Sequence, residues 1–144
     1  MTSTLPEVRL NPFNDPATKP QWAQLTRLGG DRVAILFEEL RRQIAKIDGI
    51  IESLSYLGPE EGWAAEYRAD GTTLFTVRIL PGVLEATMTF DASTFERFVS
   101  SGKLSVKMKD TLRNAEASGF IRLDVNHSSA VRSLANLAVI KSKL

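Results

Sequence analysis

The stretch that most constrains this chain runs from Gly62 to Phe90, GWAAEYRADGTTLFTVRILPGVLEATMTF. Asp70-Gly71 is a strong hairpin signal, because a type I′ turn needs positive φ and glycine adopts it without steric cost. Pro81-Gly82 marks a second turn, with proline presetting φ and glycine taking the left-handed position after it. Between the turns the residues alternate. Phe75, Val77 and Ile79 fall on one face, with Thr76 and Arg78 on the other. Leu84, Ala86, Met88 and Phe90 are likewise opposed to Glu85, Thr87 and Thr89. A period of two with one apolar face predicts a half-buried antiparallel meander. A further alternation over 120–125, with Ile121, Leu123 and Val125 in phase, supplies a fourth strand.

Helices account for most of the remainder. Trp22, Leu25 and Leu28 share a side of a short helix over 20–28, closed by Gly29-Gly30. Asp31 is placed to cap a longer one, in which Val33, Phe37, Leu40, Ile44, Ile47, Ile51 and Leu54 step by four and three. That heptad stripe predicts a helix over 31–57, with a kink or break at Gly49, where a helix interior loses about 1 kcal/mol. It also allows a homodimer through a coiled coil, while Glu38, Glu39, Arg41, Arg42 and Lys46 make up an ordinary solvated helix face. Asp91 or Ser93 is placed to cap the helix after the meander, Ser93 with Glu96 having the spacing of a capping box, and Ser105, then Ser128 or Ser129, are placed to cap two later helices. Val131, Leu134, Ala138 and Lys141 share one side of the last.

The fold class expected is α+β: two layers, with a mostly antiparallel four-stranded sheet covered by helices on one face. Phe37, Leu40, Ile44, Val77 and Met88 form its expected core. At 144 residues the chain has the length of one domain, read as an extended arm over 1–19, carrying Pro6, Pro12 and Pro16, and a single domain over 20–144. There is no cysteine, so no disulfide framework and no thiolate chemistry. Nothing reads as a signal peptide or a membrane span, and a cytoplasmic protein with no membrane partner is expected.

Charge is uneven. Residues 1–99 carry a balance of −4 and residues 100–144 one of +5, which together make the +1 of the chain. Lys103, Lys107, Lys109 and Arg113 are interleaved with apolar residues, the pattern of solvated helix faces rather than of a nucleic-acid site.

No chemistry-bearing motif is complete. His127 is the sole histidine and precedes a serine pair with no third partner. Gly29-Gly30-Asp31 lacks the Lys-Ser/Thr of a phosphate loop. No cofactor, metal site or catalytic residue is implied. The candidate ligand residues are Trp63 and Tyr67, which share a strand face, Tyr56 just upstream, and Arg78 and Arg68 as anchors for an anionic group. They would meet where the strand abuts the helix after Asp31, provided twist or an edge brings the two faces together.

The order Tyr56-Leu57-Gly58, Gly62-Trp63, Glu66-Tyr67-Arg68 and Leu74, with a closing Ile140-Lys141-Ser142-Lys143, resembles a family of small bacterial α+β domains of unknown function, over roughly residues 30–144. The resemblance implies a helix-covered antiparallel sheet and carries no reaction or cofactor. The reading favoured is a non-enzymatic module that binds a small anionic molecule or a protein partner. The alternatives are a metal-independent enzyme using Arg, Glu and Tyr, and a weak nucleic-acid binder working through the basic C-terminal helices.

Overall fold

The computed structural model describes residues 11–143; the expected arm before residue 11 and Leu144 lie outside the described residues. Helix α1 (Trp22–Leu28) and helix α2 (Asp31–Ala45) lead into strands β1 (Ile51–Tyr56), β2 (Trp63–Ala69), β3 (Thr72–Leu80) and β4 (Val83–Thr89). Helices α3 (Ala92–Ser100) and α4 (Val106–Asn114) follow, then a 3₁₀ turn, strand β5 (Phe120–Asp124) and helix α5 (Ser128–Ser142). The class is α+β, as the alternation predicts. Among the described residues the sheet is wholly antiparallel and has the order β1-β2-β3-β4-β5.

The sheet therefore has five strands where four were expected, and the helix expected over 31–57 ends at Ala45. One cause explains both corrections. Gly49 has φ +85°, a left-handed conformation that no helix interior accommodates, so the chain leaves the helix and re-enters as a strand. Ile51 and Leu54, in step with the heptad, belong to β1 instead.

Both hairpins form as their turn residues dictate. Asp70 and Gly71 both take positive φ, 50° and 76°, the signature of a type I′ turn. The Pro81-Gly82 turn is tied down by the Gly82 amide, which donates to the Gly29 carbonyl at 3.2 Å.

Helices α2 and α5 lie together on the sheet face that carries Phe75, Val77, Ile79, Leu84, Ala86 and Met88, all buried with Phe37, Leu40, Ile44 and Leu134 in one core. The five core residues expected from the sequence are each at most 4% exposed. A bulge in β3 adds Leu74 to this core: Tyr67 pairs with Phe75 and Arg68 with Thr73, leaving Leu74 between them. Its unpaired carbonyl is satisfied by the buried Lys141 ammonium at 3.2 Å, which also donates to the Thr89 carbonyl at 2.7 Å. Lys141 thus fastens α5 to the sheet at the irregular place in the ladder.

Caps follow the sequence in part. Asp91 and Ser105 accept from the Thr94 and Met108 amides, but Ser128 is the first residue of α5 rather than its cap. Its hydroxyl reaches across to Glu39 at 2.9 Å. Gly30, not Asp31, occupies the cap of α2. Among the described residues no helix is long and apolar enough to cross a membrane.

Candidate functional site

The expected ligand residues fall into three separate environments. Tyr56 and Trp63 are register partners on β1 and β2, and their rings meet edge to face at 5.7 Å. Both are engaged by the chain's own arm. The Tyr56 hydroxyl donates to the Asn14 carbonyl at 3.0 Å, and the Trp63 indole N–H to the Asp15 carbonyl at 2.8 Å. The Asn11 amide side chain donates to the carbonyls of Glu61 and Trp63 at 3.0 and 2.9 Å. Gly62 makes this close approach possible, since a Cβ there would stand 2.4 Å from the Phe13 carbonyl oxygen.

Arg78 lies on the sheet face away from α2 and α5, and that face is not open. Arg78 and its register partner Glu85 have side chains 6% and 4% exposed. The guanidinium donates to Glu85 at 2.6 Å and stands 3.1 Å from Glu61, which in turn accepts from Arg122 at 2.9 Å. Buried charges persist only when paired and hydrogen-bonded, and this chain of alternating signs meets that demand. Arg68 is exposed and closes its own hairpin by donating to the Gly71 carbonyl at 2.8 Å. Beside it Glu66 accepts from Thr73 and Ser55, which, with the nearby Arg68 charge, lower its pKa against the opposing effect of burial.

Tyr67 is the residue that meets α2. It is wholly buried, stacks on Phe75 at 4.6 Å, and its hydroxyl donates to the Glu52 carboxylate at 2.8 Å. The same carboxylate takes a two-pronged bond from Arg41 of α2, Nε at 3.1 Å and Nη2 at 2.8 Å. The guanidinium is further held over two rings, Trp22 at 4.9 Å and Phe37 at 5.5 Å, which stack on each other. Burial drives the Tyr67 pKa upward, and the Glu52 charge and hydrogen bond push it further the same way. For Arg41 burial acts downward, but the Glu52 hydrogen bond and charge outweigh it and the net shift is upward.

This network lines a groove of about 500 Å³ between α2 and β1, whose walls include Ile44, Ala45 and Ile50 together with Glu38. A second hollow of about 420 Å³, between α1 and α2, lies on the other side of Arg41 and shares Glu38. Arg41 is therefore the partition between two concavities, with its Nη1 3.5 Å from Glu38 and its side chain 32% exposed.

Arg41, Glu52 and Trp22 are not among the candidate ligand residues read from the sequence, although signals for them exist. Phe37 and Arg41 are spaced i, i+4, so a residue read as solvated helix surface stands directly beside the apolar stripe. Glu52 shares the inward alternation of Leu54 and Tyr56, and an inward carboxylate demands a partner. No family model, no curated protein and no solved structure matches this chain.

Proposed function

We propose that this chain is a non-enzymatic binding module whose α2–β1 groove takes a small molecule that pairs a carboxylate or phosphate with an apolar body. The observation that carries this reading is the setting of Arg41. One edge of its guanidinium is locked by Glu52 and its plane lies over Trp22 and Phe37, while Nη1 stands 3.5 Å from Glu38 and the side chain lines the groove beside Arg42. A guanidinium oriented in advance offers a planar fork to an anion with little further loss of side-chain freedom. The Glu38 side chain is 50% exposed, so it can yield its place to an incoming anion at small cost. Ile44, Ala45 and Ile50 supply the apolar contact.

Binding is favoured over acid–base catalysis by the state of the other two groups. Glu52 already accepts from Arg41 and Tyr67, and Tyr67 holds its proton more tightly than a free phenol, so the Tyr67 hydroxyl is not poised to give it up near neutral pH.

A thermal-shift screen of small carboxylates and phosphomonoesters tests the reading. A ligand that binds only the folded chain stabilises it by mass action, by about 2.7 kcal/mol at a hundredfold excess over Kd. The shift should disappear in Arg41→Ala and shrink in Arg41→Lys, which retains charge without the fork, and persist in Arg68→Ala. Hits that stabilise wild type and Arg41→Ala equally would place the ligand elsewhere.

A further inference from the structure

We infer that β1 is an assembly edge and that its partner is the β1 strand of a second copy of this chain, paired antiparallel about a two-fold axis at Leu54. Strand β1 pairs with β2 on one side, and no described residue hydrogen-bonds to its other side. Open edges in monomeric proteins are usually blunted by lysine, proline, a bulge or outward charge. Edge β5 conforms, with Arg122 and Asp124 in a five-residue strand. Edge β1, IESLSY, has no such device. Its one charge, Glu52, is drawn inward to Arg41 and Tyr67, while Ile51 is 68% exposed.

The backbone fixes the register. The Leu57 amide bonds toward β2, to the Gly62 carbonyl at 2.8 Å. Alternation then turns the amides and carbonyls of Glu52, Leu54 and Tyr56 outward. An axis at Leu54 pairs Leu54 with its own symmetry mate and Glu52 with the second copy's Tyr56, so all three outward residues find partners. An axis at Ser53 would leave Tyr56 unpaired. An axis at Glu52 would set two carboxylates opposite each other. The Leu54 register is also self-complementary in side chains. It places the half-buried Leu54 against its mate, Ser53 against the second copy's Ser55, and exposed Ile51 against the second copy's Leu57. These are apolar and hydroxyl pairs with no like charges opposed.

Sedimentation equilibrium of the full chain should show a monomer–dimer equilibrium. Ile51→Lys, at an exposed position where the fold has no stake, should raise the dissociation constant at least tenfold. The chain contains no cysteine, so Leu54→Cys introduces a single thiol, and a short bis-maleimide should link it to its mate in high yield. Val106→Cys, 75% exposed on α4, serves as the control and should link only at the background rate. Circular dichroism confirms that each variant is folded. A wild type that remains monomeric at every concentration overturns the inference. So does a dimer indifferent to Ile51→Lys, or equal linking of the two thiol variants.

Discussion

The arginine–glutamate pairs Arg78–Glu85 and Arg41–Glu52 lie on opposite faces of this sheet, and they share chemistry but not surroundings. Arg78 and Glu85 are register partners on adjacent strands, with side chains 6% and 4% exposed, and Glu61 and Arg122 extend them into a charge relay along the outer face. Arg41 and Glu52 join a helix to the edge strand, with side chains 32% and 24% exposed, and open onto a groove. A charge removed from water depends wholly on its partner. One that keeps contact with water retains an alternative and so remains free to recognise something else. The sealed pair is accordingly a structural commitment, whereas the open pair keeps the freedom that the proposed recognition role requires.

The strongest way to break this contrast is Arg78→Ala. It removes the guanidinium that bonds the buried Glu85 carboxylate at 2.6 Å, and denaturant titration should show a loss of about 3–5 kcal/mol. Arg78→Met combined with Glu85→Leu should recover part of that loss, because the two opposite charges are then removed together. A loss below about 1 kcal/mol in Arg78→Ala, the range of exposed pairs, would mean that the outer face is wet after all.

Much of this was legible in the residues, and the exceptions share a cause. Asp70-Gly71 and Pro81-Gly82 dictate their turns locally, and Phe75, Val77, Leu84 and Met88 reveal the buried face through strict alternation. Strand β1 was hidden because Ile44, Ile47, Ile51 and Leu54 satisfy a heptad, while 52, 54 and 56 also satisfy a period of two; Gly49 was the residue that discriminated. The polarity of Arg78 and Glu85 suggested an exposed face. Arg78 is met there by a non-local arrival, Glu61 from the β1–β2 turn, itself held by Arg122 of β5, which no local pattern encodes. Arg41 was read as surface for the complementary reason: its neighbours Trp22, Glu52 and Tyr67 come from three other elements. The sequence places Tyr56 at the end of the helix over 31–57, whereas the fold makes it the register partner of Trp63 across β1 and β2, and the polar tips of both serve the chain's own arm.

The Tyr67 hydroxyl sharpens the open side of the comparison through pH. Its pKa is raised in the fold, so above the ordinary tyrosine value of 10.0 the unfolded chain releases a proton that the folded chain retains. Stability contributed by this group is therefore intact below pH 10 and is lost as pH rises beyond it, by about 1.4 kcal/mol per pH unit. Lys141 acts oppositely. Burial lowers its pKa against the pull of Asp91, so it adds stability as pH climbs toward 10.5 and nothing further above that. The comparison of wild type with Tyr67→Phe isolates the first effect. The gap between their denaturation midpoints should widen in favour of Tyr67→Phe above pH 10. Parallel curves would mean that Tyr67 ionises freely in the folded chain.

Arg41→Ala should cost much less stability than Arg78→Ala, about 1 kcal/mol, since Glu52 keeps the Tyr67 hydroxyl and gains water through the groove. A loss as large as that of Arg78→Ala would make Arg41 a second structural commitment and weaken the case for it as a recognition element.

The smallest expected effect separates the pairs by screening. At 1 M salt the screening length falls to about 3 Å, which reaches charges in contact with solvent but scarcely those enclosed by protein. Measured at low and at high salt, the stability difference between wild type and Arg41→Ala should shrink by a few tenths of a kcal/mol, on the scale of a partly exposed pair. The difference for Arg78→Ala should stay constant within error, because ions cannot approach a guanidinium 6% exposed. The salt dependence thus measures access itself, independently of how strong each pair is. If both differences shrank alike, Arg78 and Glu85 would have to be reached by ions despite their burial, and the two faces of the sheet would differ in strength but not in kind.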